Sequence, residues 1–543
     1  MLRWSNVSFP LVMLVLAIAA GCATTAPVDP PEPSELLYEG DDPEQPTSAS
    51  EQATSASELT TSASEQTTSA SEQTTSASEQ TGSATAGGPS AKGISDRNIG
   101  LSTYRFGLRQ AIEWALAQNL SLMNARDRVA RSSFNVRAAA AEFEVKITPT
   151  ADASISGGSG GADAGRGVGL DIAKKTGIGT RLGISGDTTK TGDTHTTGVA
   201  FSLTQPLLRG LGRTVNEDSI LDAKFNLLSS RRSFVESRED LIVSVVRGFY
   251  EIIRQREVLA LNEKSAERTR RHLNAAQARE RVGLASRIDV LRAEIQLRQA
   301  EDNLLVARQG YGDAVDRLRI LLGFGPQDDV QIDSDPSYEE FEVGGEMAIF
   351  LAMTNRLDLA TSRDQIDQAR RNLKVAKNNT LPQLDLVFGY QQFGSGATFS
   401  DSSDLSESMW SIGLATSTDI WRTAERAGYE QAKLDLAGAE RNYRLFKDTV
   451  VREVKDALRS MEKNRKRITI QKADMDHAMQ KLKLARMKFD RGLADNFDLI
   501  DAEEEIIRAE TNYISSVTDY IVSQVVVKRA IGTLVERPAH LLR

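Results

Sequence analysis

Asp498 and Asp501 stand three residues apart in a helical stretch, a spacing that puts both carboxylates on one helix face. Gathered with other carboxylates such a pair draws cations; left alone it is a solvated surface charge. The other candidates for chemistry are sparse. The four histidines, His195, His272, His477 and His540, are scattered, and there is no HExxH, phosphate-loop or nucleophile-elbow motif. The chain therefore reads as a non-enzyme that calls for no cofactor and no metal. Its one cysteine, Cys22, rules out an intrachain disulfide and a cysteine-ligated metal centre. A net charge of -9 over 543 residues excludes nucleic acid as a partner, because phosphate binding needs a basic face.

What Cys22 can do is set by the residues before it. Arg3, an apolar run from Phe9 to Ala20 and the small residues up to Cys22 have the layout of an export signal over residues 1–21. The run is too short to span a bilayer, which takes about 20 apolar residues. Ala19, Ala20, Gly21 and Cys22 resemble the bacterial lipobox, which implies lipidation of Cys22 after cleavage. Ala23 follows, where an aspartate would favour the inner membrane, so the resemblance implies the outer one. Residues 22–102 continue through a proline-rich acidic stretch into copies of TSASEQT starting at Thr47, Thr54, Thr61, Thr68 and Thr75. With alanine as its only apolar residue the repeat has no seam to bury, and it reads as a lipid-anchored, disordered linker.

The body beyond residue 103 is a duplication. VGLASRIDVLRAE at 282–294 aligns without a gap on RGLADNFDLIDAE at 491–503, and LSLMNARD at 120–127 resembles LDLATSRD at 357–364. The repeats span 103–325 and 345–535, with a linker at 326–344 and a tail at 536–543. No proline falls between Pro206 and Pro326 or between Pro382 and Pro538, so long helices are expected. Each half predicts a first helix (107–147; 345–380), strands, a very long helix (214–281; 422–490), a glycine turn and a returning helix (285–322; 494–531). The returning helices carry seams at spacings of three and four, Val290, Ala293, Leu297, Ala300 in one and Leu499, Ala502, Ile506, Ala509 in the other. Their small residues let helix axes approach closely, and the two shorter helices of a half sum to the length of the long one, so they can stack end to end beside it.

The strand segments alternate. Leu384, Leu386, Phe388 and Tyr390 face one way and Asp385, Val387, Gly389 and Gln391 the other; Trp410, Ile412 and Leu414 repeat the pattern. In the first half HTTGVAFSLTQP and GIGTRLGISGD are comparable, within a segment, 148–206, whose strand count the pattern leaves open. Four transmembrane strands are expected per chain, too few to close a barrel, which takes about eight. The chain must oligomerise if those strands form one.

The duplicated body, the strands after each first helix, the run SLTQPLLRGLGR before the long helix and VGLAS followed by DVL together resemble the TolC-like outer-membrane efflux family. That resemblance implies a mainly α fold with a β-barrel portion: a homotrimer that closes twelve strands in the outer membrane above a long-helix α-barrel tunnel in the periplasm. It implies a passive duct served by a periplasmic adaptor protein and an inner-membrane transporter, in drug efflux, metal efflux or type I secretion. Val282, Gly283, Leu284, Gly492 and Leu493 become the adaptor-facing turns, although a glycine there also simply ends a helix. Asp498 and Asp501 match the aspartates that ring the closed tip, and Asp289 matches a partner in the family's tip lock. Phe489 and Ala494 stand where that lock has a tyrosine and an arginine, which implies a different network here, with Arg287 or Arg491 as stand-ins. The rival reading is a non-conducting, periplasm-spanning coiled-coil scaffold, which has no use for strands.

Overall fold

Strand β1 (Thr103–Phe106) leads into helices α1 (Leu108–Gln118) and α2 (Leu120–Ala140), the strands β2 (Lys146–Gly158), β3 (Gly161–Lys175), β4 (Arg181–Thr191) and β5 (Thr194–Pro206), the long helix α3 (Asp218–Arg281) and the returning helix α4 (Arg287–Leu322). After β6 (Asp329–Ile332) the plan repeats with α5 (Gly345–Asn355), α6 (Leu357–Asn379), β7 (Asp385–Gly396), β8 (Glu407–Ala415), α7 (Thr423–Asp490) and α8 (Asn496–Ala530). The structure, a computed structural model, describes residues 103–158, 161–283, 285–325, 327–332, 340–491, 493 and 496–542. The export signal, Cys22 and the repeat-bearing linker lie outside the described residues, as do Leu284, Gly492 and Ala494.

The expected first helix of each half is two helices, broken at equivalent positions. Asn119 and Arg356 both take extended backbone, with ψ of 122°. Asn119 caps the second piece by accepting from the Leu122 N–H at 3.0 Å and donates to the Leu321 carbonyl at 2.9 Å. Arg356 instead reaches Asp358 and Glu453 of α7, the latter at 2.7 Å. Helix α2 stops at Ala140, short of Pro149, which lies inside β2.

The long helices have 64 and 68 residues, roughly 100 Å at 1.5 Å per residue. The shorter helices lie against them in succession, α2 then α4 on α3, and α6 then α8 on α7. Ion pairs mark the antiparallel order: Arg308 with Glu263, Arg270 with Glu301 and Arg287 with Glu280 in the first half. The expected seams are buried, through Val290, Ala293, Ala300, Ala307 and Ala314 in α4 and Leu499, Ala502, Ile506 and Ala509 in α8. Near the far turns the halves correspond residue for residue, Ala276, Val290 and Ala293 in one cluster and Ala485, Leu499 and Ala502 in the other.

The main core sits at mid-length. There Ala111, Ala115, Ala348 and Ala352 let α1 and α5 close on Val245, Phe249, Leu318, Val450 and Val527. Beside it β1 pairs in parallel with β6, a strand within the 326–344 stretch, and Tyr104, Phe106, Trp114 and Phe324 cluster against them. The tail docks here too. Arg537 pairs with Glu239 at 2.5 Å, and the buried Arg232 donates to the Leu541 carbonyl at 2.7 Å and to Asp364 at 2.7 Å.

The sheet corrects one expectation. It has six antiparallel strands, ordered β2-β3-β4-β5-β7-β8, where four transmembrane strands were expected and the count within 148–206 was left open. The additional pair is β2–β3. Its glycines, a run that argues against strand by propensity, lie opposite side chains that need the space. A Cβ at Gly167 would fall 2.3 Å from Asp152 Oδ1, and one at Gly183 in β4 2.6 Å from Ser202 Oγ.

Burial and then the neighbouring carboxylates of Asp358 and Glu239 push Glu236 up to about 7, against the pull of Arg537 and Arg356. A raised folded value means that the native state holds this proton more tightly than the unfolded chain. Its contribution is complete in acid and is lost as pH climbs from the ordinary carboxylate range through about 7. Glu236→Gln is expected to raise the stability of the detergent-solubilised protein at pH 8 by about 2 kcal/mol and to change it little at pH 4. Denaturation at the two pH values checks this; equal effects at both would contradict it.

Candidate functional site

Two regions have the geometry of a site: the far turns of the long helices and the sheet. At the first turn Gly283 takes φ +76°, which ends α3, and its N–H reaches the Glu280 carbonyl at 2.9 Å. Val282 beside it is 68% exposed. Ser286 then caps α4. Its hydroxyl donates to Asp289 at 2.7 Å and its N–H to the same carboxylate at 3.0 Å, while the Asp289 N–H donates back at 3.2 Å. The side-chain and backbone hydrogen bonds from Ser286 hold Asp289 below the usual carboxylate range. Within the protomer Asp289 is thus a capping residue, and Arg287 lies 3.6 Å from Glu280.

The second turn closes through Arg491 and Leu493, whose N–H groups reach the Lys488 carbonyl at 3.2 and 2.9 Å, and Leu493 is 74% exposed. Both turns therefore present an apolar side chain to solvent. Asp498 and Asp501 are exposed on α8, beside the buried Leu499 and Ala502. Asp501 is paired with Lys481 of α7 at 2.7 Å, and Lys481 also contacts Glu505. The Asp501 and Glu505 carboxylates hold the Lys481 ammonium above its ordinary range.

Sequence reasoning missed the contacts between halves. Glu503 of α8 is 6% exposed and meets α3 of the other half, with His272 at 3.3 Å and Arg268 at 3.9 Å; Arg486 of α7 adds a third partner at 3.6 Å. Phe489, which lacks the hydroxyl of the family's lock, has the Arg279 guanidinium 4.6 Å from its ring centroid, a cation–π contact that needs no hydroxyl. A signal was present in the duplication. Glu294 occupies the Glu503 position in the first half and is exposed there, so the same residue type serves two environments.

The sheet has two distinct faces. Opposite partners across antiparallel strands share a face, and one such row reads Ile147, Ile172, Ile184, Phe201, Tyr390, Trp410 across all six strands. The adjacent row reads Lys146, Ala173, Gly183, Ser202, Gly389, Ser411. Asp152, Asp171 and Asp187 also belong to this second face. Crowding at Gly167 and Gly183 is on the polar face, as expected for a sheet that curls toward it. Among the described residues no helix is long and apolar enough to cross a membrane, and no group of three His, Cys, Asp or Glu could hold a metal ion.

Tandem long-helix halves, each interrupted by antiparallel strands, define a class of chain in which one sheet is joined to a long helical stem. Residues 111–324 and 348–533 match the family model for outer membrane efflux protein, and the chain belongs to that family. It is 22% identical over 316 residues to outer membrane protein TolC of Escherichia coli (strain K12), covering 56% of this chain and 64% of that protein. It is 24% identical over 255 residues to solvent efflux pump outer membrane protein SrpC of Pseudomonas putida, covering 46% of this chain and 53% of that one. Both alignments span less than two thirds of the relative's length. Among solved structures, the Campylobacter jejuni CmeC outer membrane channel superposes with a TM-score of 0.63 at 16% identity, over 79% of this chain and 86% of that one. The open state of the Neisseria gonorrhoeae MtrE outer membrane channel gives 0.59 at 17% identity, over 79% and 89%. These likenesses establish the fold.

The Glu503 cluster yields a test. Burial works to raise the Glu503 carboxyl, but the His272 hydrogen bond and the charges of His272, Arg268 and Arg486 outweigh it and hold the group below the usual range. The stabilisation is present above the ordinary carboxylate range and lost as pH falls through the lowered value. Glu503→Ala strands the facing cations and is expected to loosen the contact of α3 with α8 by about 3 kcal/mol. Hydrogen exchange in 268–280 and 499–510, corrected for intrinsic rate, should rise at neutral pH while the mid-length core stays protected. Unchanged exchange at the turns would contradict the role given to Glu503.

Proposed function

We propose that this chain is one protomer of a homotrimeric exit duct in the outer membrane, a passive conduit that carries substrate from an inner-membrane transporter and a periplasmic adaptor protein to the exterior. One observation carries the reading: a sheet with one apolar and one polar face is joined directly to helices of roughly 100 Å. A non-conducting scaffold would need the helices and not the sheet. Family membership supports the same reading, as do the names of the relatives, an outer membrane protein and an efflux-pump outer membrane protein.

In this reading Cys22 carries the lipid that holds the N-terminus at the membrane. The turns at Val282, Gly283 and Leu284 and at Gly492 and Leu493 meet the adaptor at the periplasmic tip, and the exposed Val282 and Leu493 offer it apolar contacts. Asp498 and Asp501 form the gate, repeated by three-fold symmetry into carboxylate rings that attract cations. Asp289 contributes by fixing the first turn of α4, and the pairs Phe489–Arg279 and Glu503–His272 replace the family's tyrosine and arginine in holding the tip closed.

In planar bilayers the purified protein is expected to give cation-selective channels that divalent cations block from the periplasmic side. Asp498→Ala with Asp501→Ala should raise the half-blocking concentration about tenfold, the equivalent of about 1.4 kcal/mol. Block unaltered by the double substitution would discard the gate, and well-folded trimers that conduct nothing would favour the scaffold. Separately, cells fed radiolabelled palmitate should label the wild-type chain and not Cys22→Ser; label retained by the variant would remove the anchor from Cys22.

A further inference from the structure

We propose that the barrel of this protein has eighteen strands, six from each of three copies, and that it closes by antiparallel pairing of β8 with β2 of the next copy. The inference rests on the duct reading above. The two edges of the sheet are β2 and β8, and β8 is exposed along its whole length. Among the described residues neither edge has a neighbour to satisfy its outward N–H and C=O groups, which hydrocarbon does not tolerate. All five pairings are antiparallel, so the first and sixth strands run in opposite directions. A second copy set beside the first therefore brings β2 against β8 in the antiparallel sense, and the ring closes without a parallel seam.

The alternative is that β2 and β3 form a hairpin outside the barrel and the wall keeps four strands per copy. The side chains of β3 argue against it. On the apolar face β3 reads Lys174, Ile172, Leu170, Val168, Arg166, an apolar band bounded by two basic residues. Eight residue steps separate the two cations, about 26 Å at 3.3 Å per residue. A lipid-facing band is about 25 Å tall before any correction for strand tilt, and long basic side chains at its ends reach back to the headgroups. Val168 and Leu170 are exposed in the protomer, as lipid contact requires. On the other face the same strand carries Asp171, Gly169, Gly167 and Gly165, continuous with the small and polar residues of β4 and β5. A hairpin standing in water would have no reason to continue both faces in register. Because barrel diameter grows roughly linearly with strand number, the bore is about one and a half times that of a twelve-stranded barrel.

Cysteine cross-linking in the full-length protein tests the closure. Ser411 of β8 lies on the polar face, as do Thr148, Thr150 and Asp152 of β2, whereas Ile147, Pro149 and Ala151 lie on the apolar one. Ser411→Cys is combined in turn with cysteine at each of these six positions and at Ser185 of β4, and the wild-type chain, with Cys22 alone, is the control. The expected result in outer membranes is oxidation to cross-linked species that end at the trimer, from the polar-face positions of β2 and not the apolar-face ones. Inserted trimers in which Ser411→Cys joins Ser185→Cys of a neighbour, or joins β2 without preference for face, would overturn the closure and leave the duct standing. A ladder ending at the dimer would overturn the count of eighteen. Chains that neither insert nor assemble would remove the duct reading and this inference together.

Discussion

Backbone hydrogen bonds at a sheet edge set the terms for this molecule. A strand in water can leave its outer N–H and C=O groups to solvent, but a strand in hydrocarbon must pair them. Among the described residues the sheet makes five antiparallel pairings and leaves β2 and β8 open at either end. One row across the six strands, from Ile147 to Trp410, is apolar throughout, and the adjacent row, from Lys146 to Ser411, is small and polar. In the duct reading such a sheet has lipid on one side, water on the other and copies of itself at its edges.

The helices answer a different requirement, reach. A helix of roughly 100 Å draws most of its stability from packing, and each long helix is packed by two shorter ones laid in succession. Alanines along the seams, Ala293, Ala300 and Ala307 in α4 and Ala502 and Ala509 in α8, permit close axes but bury little area apiece. The stem is therefore weakly held along its length and firmly held at the mid-length core, where Phe249, Leu318 and Val527 pack and the tail is tied down through Arg232 and Arg537. Contacts between the halves near the far turns include Glu503 with His272 and Arg268, and Phe489 with Arg279.

Much of this was legible in the sequence because duplication and periodicity are read without knowing any contact. The seams, the long helices and the turns at Gly283 and Gly492 follow from spacing and from absent prolines. The strand count did not follow, since glycines at 165, 167 and 169 look like loop until one sees that they stand opposite Ser154, Asp152 and Thr150 on a crowded face. The helix breaks at Asn119 and Arg356 were hidden because both sit in apolar-periodic stretches that continue beyond them. The surroundings of the two aspartates were legible only in part. Spacing placed Asp498 and Asp501 on one face, but a pairing such as Asp501 with Lys481, or a buried Glu503 whose twin Glu294 is exposed, depends on which helix lies alongside.

In the duct reading the sheet is a wall with lipid on one side and water on the other. Spin labels placed singly at consecutive positions 166–173 of β3 and 408–414 of β8, in protein reconstituted into liposomes, test it most directly through collision with oxygen and with a water-soluble nickel chelate. The account predicts that the two accessibilities alternate with a period of two and opposite phase, oxygen highest at Val168, Leu170, Trp410 and Ile412, nickel highest at Gly169, Asp171, Ser411 and Gly413. High nickel accessibility at every position, with no alternation, would contradict it.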